Sequence, residues 1–254
     1  MNNTANMKHE KCLILKNRRI APDIYELILH APGIAVNAKP GQFVMVHLDK
    51  GELLLPRPIS ICSCKCEDIT LVYKVLGSGT KYISTLPPGM FLRLTGPLGN
   101  GFTIKKGQTK VALIGGGIGI PPMVMLHESL KIADGFQTDV LLGFNDESFL
   151  TDRFPKDNVY IATQSGKEGI KGNVIDLLNN LNQPYDEMYA CGPKAMLAAL
   201  AQYAKAKAIP LQVSLEERMA CGVGTCMGCV TPPKYMKICC DGPVFYSDKV
   251  VLDE

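Results

Sequence analysis

The sequence has no long uninterrupted hydrophobic run. Its longest apolar stretch, 111–126, is broken by four glycines and two prolines, and the polar segment 1–10 contains no apolar signal core. We therefore expect neither a membrane span nor an export signal. The sequence also lacks a basic stripe with interleaved aromatic residues, because charges of both signs are mixed along the chain and the net charge is +3. Nucleic acid is therefore not an expected partner.

The sequence contains no internal repeat and no low-complexity tract. At 254 residues, of which 46% are hydrophobic, the chain is long enough for two domains and a short tail. It contains ten cysteines. Without an export signal, cysteines predict a reducing, cytoplasmic location, where they act as metal ligands or core residues rather than as disulfides.

The first hundred residues predict a small antiparallel β barrel, because short apolar runs alternate there with turns such as Pro40-Gly41 and Pro88-Gly89. The six predicted strands cover 12–15, 24–29, 43–48, 59–62, 69–75 and 90–94. A glycine-rich polar stretch at 99–107 marks a boundary. Beyond it, strands and helices alternate, which predicts a parallel sheet wrapped by helices.

Strands of this second domain are predicted at 110–114, 139–144, 159–163, 187–190 and 211–213, and helices follow the first strand as far as 133 and cover 174–181 and 193–207. We predict three parts in all. A β barrel covers 1–104, an α/β domain covers 105–214, and a small cysteine-containing domain covers 215–254.

The third part begins with a cysteine loop in which Cys221, Cys226 and Cys229 have the spacing C-x4-C-x2-C, followed by the pair Cys239-Cys240. This spacing is typical of ligands to a [2Fe–2S] cluster. A structural zinc site is the alternative, but it prefers paired C-x2-C or Cys/His sets, and no histidine lies in this region. The tail beyond Arg218, about 35 residues long, is small enough to need such a centre as its core.

The residues leave the fourth ligand open. Adjacent cysteines on an extended backbone point in different directions, so only one of the pair is expected to reach the cluster.

In the barrel, Arg57-Pro58-Ile59-Ser60 lies at the start of a predicted strand. There an arginine can bind a phosphate with two donors, and a serine can hydrogen-bond a flavin. The segments Val72-Tyr73-Lys74 and Gly77-Ser78-Gly79-Thr80 follow. We expect Gly79 and Thr80 to offer N–H and hydroxyl donors to a pyrophosphate.

In the second domain, a loop containing Gly115, Gly116, Gly117 and Gly119 joins a strand to a helix, so its amides can face a pyrophosphate. The loop departs from G-x-G-x-x-G, because Ile120 occupies the sixth position counted from Gly115.

A second turn, Cys191-Gly192-Pro193, follows a later strand. After the second strand of this domain come Asp146 and Glu147. Carboxylates favour a free ribose 2′-hydroxyl over a 2′-phosphate, so NAD is expected rather than NADP.

These motifs resemble those of the ferredoxin–NADP reductase superfamily, in which R-x-x-S, a later strand triplet and a Gly-Thr turn hold FAD, and G-G-G-x-G-x-x-P and C-G-P hold the nicotinamide nucleotide. The whole chain resembles the electron-transfer subunits of type B, NAD-dependent dihydroorotate dehydrogenases. The most specific segments are Glu217-Arg218-Met219-Ala220-Cys221-Gly222 and Cys239-Cys240-Asp241-Gly242-Pro243-Val244-Phe245.

The resemblance implies an oxidoreductase subunit of pyrimidine biosynthesis that contains FAD and one [2Fe–2S] cluster. It implies a separate FMN-bearing catalytic subunit, two copies of each subunit in a heterotetramer, and transfer of electrons from that FMN through the cluster and FAD to NAD+. It assigns Cys239 as the fourth ligand, although the segment between Cys229 and Cys239 is shorter than is common in the family. The alternative is the small subunit of a related NAD(P)H–ferredoxin or sulfide oxidoreductase.

Overall fold

The computed structural model describes residues 6–48, 50–105, 107–133 and 135–252. The chain divides into two compact units. The first contains the residues up to Gly101 together with Glu216–Pro243, and the second contains Phe102–Leu215 together with Val244–Glu254. The three-part division predicted from the sequence stays a prediction.

The first unit is built on a closed antiparallel barrel with the strand order β1-β2-β5-β4-β3-β6. Its strands are β1 (Lys8–Ala21), β2 (Ile24–His30), β3 (Phe43–His47), β4 (Arg57–Lys65), β5 (Asp68–Lys74) and β6 (Phe91–Leu98). Two short helices, α1 (Pro32–Ala35) and α2 (Ser78–Ser84), lie between strands. The six predicted strands are all present, and most of them extend beyond the apolar runs that predicted them.

The barrel core consists of buried apolar side chains contributed by all six strands. Along β2, Leu27 and Leu29 are fully buried, and Ile69 and Leu71 of the paired strand β5 are fully buried as well. Because the barrel is closed, each of its described strands pairs with a neighbour on both sides.

The second unit contains a seven-stranded sheet of order β10-β9-β8-β7-β11-β12-β15. Its strands are β7 (Lys110–Gly116), β8 (Gln137–Phe144), β9 (Val159–Thr163), β10 (Ile170–Lys171), β11 (Glu187–Cys191), β12 (Leu211–Ser214) and β15 (Val244–Tyr246). The helices are α3 (Pro121–Ala133), α4 (Val174–Leu181) and α5 (Lys194–Lys207). A separate hairpin pairs β13 (Val230–Thr231) with β14 (Met236–Lys237) in the first unit.

Six neighbouring strands of the sheet are parallel, and β15 pairs antiparallel with β12 at one edge. The predicted fold class, an antiparallel barrel with a parallel-sheet domain, is confirmed. From β7 the chain proceeds outward through β8 and β9 to β10, then returns to β11 on the other side of β7. This reversal between β7 and β11 is the position at which open α/β sheets bind ligands.

A buried polar network holds the segment after Phe102 on this sheet. The Glu187 carboxylate is fully buried and accepts hydrogen bonds from Gln212 Nε2, at 2.6 Å, and from Gln108 Nε2. Gln212 also bonds both the N–H and the carbonyl of Thr103. A buried carboxylate needs hydrogen-bond donors. These bonds therefore tie the position of the segment after Phe102 to Glu187.

Among the described residues, no helix has both the length and the apolar character needed to cross a membrane.

Candidate functional site

The three barrel motifs predicted from the sequence meet at one end of the barrel. Strands β4 and β5 are antiparallel neighbours, so the start of β4, where Arg57-Pro58-Ile59-Ser60 lies, is next to the end of β5, where Val72-Tyr73-Lys74 lies. Helix α2 follows β5 and carries Gly79 and Thr80 in its first turn.

Gly79 lies directly against the side chain of Arg57. A Cβ atom at Gly79 would be 2.3 Å from Arg57 Nε and 2.5 Å from its Cζ. The guanidinium also donates from Nη1 to the carbonyl of Leu55. Glycine therefore leaves the space that the guanidinium occupies, and the arginine is held beside the first turn of α2.

The hydroxyl of Thr80 is used within its own turn. It accepts from the N–H groups of Leu76 and Gly77, at 3.0 and 3.3 Å, and lies 3.2 Å from the Gly77 carbonyl, to which it donates. We expected this hydroxyl as a donor to a pyrophosphate, but its proton is already engaged. The backbone N–H groups of the turn are the donors that such a helix start provides.

Tyr73 is a buried strand residue. Its ring stacks on Tyr25 at a centroid distance of 5.8 Å, and its hydroxyl donates to Asn17 Oδ1 at 3.3 Å. Burial, with Tyr25 as a further cause, raises the pKa of Tyr73 above its ordinary value. That Tyr73, as part of the strand triplet, helps to hold FAD stays a prediction.

In the second unit, the glycine loop and the Cys-Gly-Pro turn meet at the reversal point of the sheet. Gly115 pairs with Cys191 across β7 and β11. A Cβ at Gly119 would lie 2.4 Å from the carbonyl carbon of Cys191, and a Cβ at Gly116 would lie 2.5 Å from Met196 Sδ. The loop can approach the turn this closely only because these positions are glycine.

Gly117 has a φ of 51° and forms a short 3-10 turn with Ile118 and Gly119, after which α3 begins at Pro121. The loop thus runs from the carboxyl end of a central strand into a helix start, which is the geometry that binds a pyrophosphate. Proline suits the first helical position because it has no N–H to leave unpaired.

The acidic pair predicted to contact the ribose is exposed beyond the end of β8. Asp146 Oδ1 lies 3.7 Å from Lys167 Nζ, and both side chains are largely exposed. Glu147 is also exposed. Lys167, which belongs to none of the predicted motifs, partly offsets the negative charge of Asp146.

The cysteine loop places backbone N–H groups against two of its sulfurs. The N–H of Cys226 points at Cys221 Sγ and that of Cys239 at Cys229 Sγ, each with an N···S distance of 3.5 Å. Gly222 and Gly224 have φ values of 70° and 82°, the left-handed region that favours glycine. These turns curl the chain so that its amides face the sulfurs.

The thiols differ in their electrostatic surroundings. Partial burial acts to raise the pKa of Cys221, but hydrogen bonds from the Thr225 hydroxyl and from backbone N–H groups outweigh it and lower that pKa to about 6. Burial raises the pKa of Cys239 and of Cys240 above the ordinary thiol value. Cys226 is exposed, whereas Cys229 is buried.

The expectation that Cys239 and Cys240 lie on an extended backbone is wrong. They lie in a tight turn in which the N–H groups of Cys240 and Asp241 both bond the carbonyl of Lys237, at 3.0 and 2.7 Å. The turn brings the two sulfurs to 3.7 Å from each other.

Asn100 anchors this turn, and sequence reasoning missed it. Its Nδ2 donates to the carbonyls of Cys240 and Asp241, at 2.9 and 3.1 Å, and its N–H bonds the Gly242 carbonyl. The only signal in the sequence was the Gly99-Asn100-Gly101 turn, which we interpreted as a domain boundary. Gly222 packs against Met45 and Leu98 of the barrel and holds the start of the cysteine loop.

The cysteine set fits an iron–sulfur group by the chemistry of its donors. Thiolates are the ligands that such clusters use, and N–H groups aimed at the sulfurs stabilise their negative charge. In the part of the chain that the structure describes, no three Cys, His, Asp or Glu side chains already converge in the geometry of a metal site.

Comparisons with known proteins concern the cysteine loop, the fold and the whole sequence. A family model described as the iron–sulfur cluster binding domain of dihydroorotate dehydrogenase B matches residues 216–251. In structure, the chain is similar to an NADH-dependent reduced ferredoxin-NADP oxidoreductase, with a TM-score of 0.86, 30% identity, and coverage of 95% of this chain and 90% of that one.

A ferredoxin reductase of carbazole 1,9a-dioxygenase shares the fold, with a TM-score of 0.70, 20% identity and coverage of 82% of this chain and 69% of that one.

Relatives extend over nearly the whole sequence. The dihydroorotate dehydrogenase B (NAD(+)) electron transfer subunit of Caldanaerobacter subterraneus subsp. tengcongensis is 38% identical over 95% of this chain and 98% of its own length. That of Bacillus cereus strain G9842 is 40% identical over 97% of this chain and 100% of its own length. The resemblance predicted from the motifs is confirmed: this chain belongs to the family of dihydroorotate dehydrogenase B (NAD(+)) electron transfer subunits.

Proposed function

We propose that this chain passes electrons from the FMN of a dihydroorotate dehydrogenase catalytic subunit to NAD+, through a [2Fe–2S] cluster and FAD. The observation that carries the proposal is that the cysteine loop and the barrel motifs belong to one compact unit. Gly222, beside the first cysteine of the loop, packs on Met45 and Leu98 of the barrel. A one-electron site and a flavin site built into the same unit suit a chain that transfers electrons between them.

The cluster, FAD and NAD supply complementary chemistry. A [2Fe–2S] cluster carries single electrons, NAD accepts a hydride, and FAD can exchange either one or two electrons. The residues of this chain bind and orient these groups. Hydride transfer between two cofactors depends on their relative position and needs no protein nucleophile. The chain therefore has no catalytic side chain in this proposal, and Cys191 acts through the position of its turn.

The proposed sites keep the residues predicted from the sequence. FAD is bound by Arg57, Pro58, Ile59, Ser60, Val72, Tyr73, Lys74, Gly79 and Thr80. NAD is bound by Gly115, Gly116, Gly117, Gly119, Cys191, Gly192 and Pro193. The cluster is bound by Cys221, Cys226, Cys229 and Cys239.

Within the FAD site, the guanidinium of Arg57 binds a phosphate beside the N–H groups of the α2 turn. Within the NAD site, the loop before Pro121 provides the N–H donors. The turn at Cys191 packs against Gly119 of that loop.

The assembly and location are part of the proposal. The chain pairs with a separate FMN-containing catalytic subunit, which holds the dihydroorotate site, in a heterotetramer of two copies of each subunit. It acts in the cytoplasm, where its ten cysteines, none of which forms a disulfide in the described residues, remain reduced.

A second function has an observation in its favour. The structure of an NADH-dependent reduced ferredoxin-NADP oxidoreductase covers 95% of this chain at 30% identity. A chain with the same cofactors could therefore serve a ferredoxin- or sulfide-linked partner instead. The two functions differ in the electron donor and not in the sites described above.

The test is dihydroorotate-dependent reduction of NAD+ by this chain co-expressed with its candidate FMN subunit, with the chain alone as control. We expect NADH formation only from the pair. A matched Cys226→Ala variant changes an exposed loop residue. It should abolish this activity and leave NADH-driven reduction of ferricyanide. NADH-driven dye reduction by the pair without any dihydroorotate activity, together with turnover of reduced ferredoxin, would assign the second function.

A further inference from the structure

The turn at the end of the cysteine loop presents a fifth thiol beside the four assigned ligands. Cys239 Sγ and Cys240 Sγ are 3.7 Å apart, and both residues are buried, with 1% and 8% of their surface exposed. In a tetrahedral metal site with metal–sulfur bonds of about 2.3 Å, two sulfurs lie about 3.8 Å apart. The two sulfurs are therefore close enough to bind the same metal ion, although the residues are neighbours in the sequence.

Cys239 and Cys240 contact different parts of the cysteine loop. The backbone N–H of Cys239 points at Cys229 Sγ, at 3.5 Å. The sulfur of Cys240 lies against Gly224, where a Cβ would be only 2.7 Å from it. Gly224 lies between Cys221 and Cys226 in the sequence, so the Cys240 sulfur faces the first arm of the loop (221–226), and the Cys239 backbone contacts the second arm (226–229).

The backbone around Cys240 is held in place from both sides. Asn100 Nδ2 donates to the Cys240 carbonyl, and Asp241 Oδ2 accepts from the N–H of Lys237 at 2.6 Å. Lys237 Nζ lies 3.5 Å from the Gly224 carbonyl, which ties the first arm to the same turn. The iron ligand can therefore change from Cys239 Sγ to Cys240 Sγ by rotation of these two side chains about their Cα–Cβ bonds, without refolding of the turn.

We propose that Cys240 is a substitute fourth ligand, which binds iron when the Cys239 thiolate is missing or displaced; this inference rests on the proposed function. In the exchange, the bond from Cys239 Sγ to iron breaks and a bond from Cys240 Sγ forms. The Cys240 thiol loses its proton and the released Cys239 thiolate takes one up. The iron keeps its oxidation state, and no external oxidant or reductant is needed.

The experiment compares five forms of the full chain: wild type, Cys239→Ser, Cys239→Ala, Cys240→Ala and the double variant Cys239→Ser/Cys240→Ala. Iron and acid-labile sulfide per chain, visible absorption and circular dichroism, and the electron paramagnetic resonance spectrum after dithionite reduction are measured. FAD content and far-ultraviolet circular dichroism report the fold. Serine preserves the size of the side chain at position 239, and the double variant controls for binding of iron by its oxygen.

We expect Cys239→Ser to keep about half or more of the wild-type iron, with a spectrum typical of four thiolates, and the double variant to contain about tenfold less. Cys240→Ala should match the wild type. The proposal is wrong if Cys239→Ser contains no cluster, or if it and the double variant have equal iron content and the same spectrum. Loss of iron, FAD and fold together in both Cys239→Ser and Cys239→Ala also contradicts it, because a substitute ligand would preserve the loop. Absence of the cluster from the wild type would instead overturn the proposed function.

Discussion

Replacement of Gly79 by alanine tests the flavin site through a single methyl group. That methyl would lie 2.3 Å from Arg57 Nε and 2.5 Å from its Cζ, whereas unstrained contacts between such atoms begin near about 3.5 Å. The guanidinium must therefore move by about 1 Å or more from its place beside the α2 turn. Arg57 is a long, flexible side chain, so the fold itself can adapt.

The expected effect is a loss of FAD affinity with little loss of stability. A hydrogen bond to a charged group contributes about 1.5–3 kcal/mol, and every 1.4 kcal/mol is about tenfold in a dissociation constant. Gly79→Ala should therefore raise the Kd for FAD by about 10- to 100-fold. Alanine is also the better helix former, so the melting temperature of the apoprotein should not fall.

Gly77→Ala is the matched control, because a Cβ at Gly77 meets no atom within 4 Å and its φ of −157° is open to any residue. The assay is titration of the FAD-depleted chain with FAD, followed by quenching of flavin fluorescence, alongside thermal melts of both variants. Equal Kd values for Gly79→Ala and Gly77→Ala would refute the reasoning. A lowered melting temperature for Gly79→Ala alone would show that the methyl disturbs more than Arg57.

Three further predictions concern the nucleotide sites. Arg57→Ala should lower the FAD content of the purified chain, and Arg57→Lys should restore it only in part because lysine cannot bind a phosphate with a planar fork; unchanged flavin content would remove Arg57 from the site. Gly119→Ala should lower both the melting temperature and the rate of flavin reduction by NADH. The new Cβ would lie 2.4 Å from the backbone of Cys191, which cannot move as a flexible side chain can. A wild-type melting temperature and rate would contradict this. The kcat/KM for flavin reduction should be about tenfold or more higher with NADH than with NADPH, because Asp146 and Glu147 repel a 2′-phosphate. A preference for NADPH in stopped-flow kinetics would overturn that assignment.

Much of the fold could be predicted from local patterns. The strand Val159–Thr163 and the helix Val174–Leu181 lie where apolar spacing predicted them. The helix has its own start signal, since Asn173 accepts from the N–H of Ile175 and Asp176 accepts from that of Asn173. Such signals are encoded within a few residues and do not depend on the rest of the chain.

Other elements depend on distant partners and escaped prediction. The strand Val244–Tyr246 is only three residues long, and it exists because it pairs with Leu211–Ser214. Asn100 was interpreted as part of a boundary, but it bonds carbonyls more than a hundred residues away. No local pattern predicts these pairs, because they form only after the barrel and the sheet bring the segments together.

The sequence by itself determined which chemistry the chain carries: the spacing of Cys221, Cys226 and Cys229, the glycine loop before Pro121 and the family to which the chain belongs. Thiolate ligands and phosphate-binding turns need particular residue types at short spacings, and a sequence shows these directly. Only the tertiary structure decided that Gly79 makes room for Arg57 and that the sulfurs of Cys239 and Cys240 approach to 3.7 Å. Those distances follow from the strand order in the barrel and from a turn held by hydrogen bonds to residues far away in the sequence. Local sequence patterns predict neither the strand order nor these bonds.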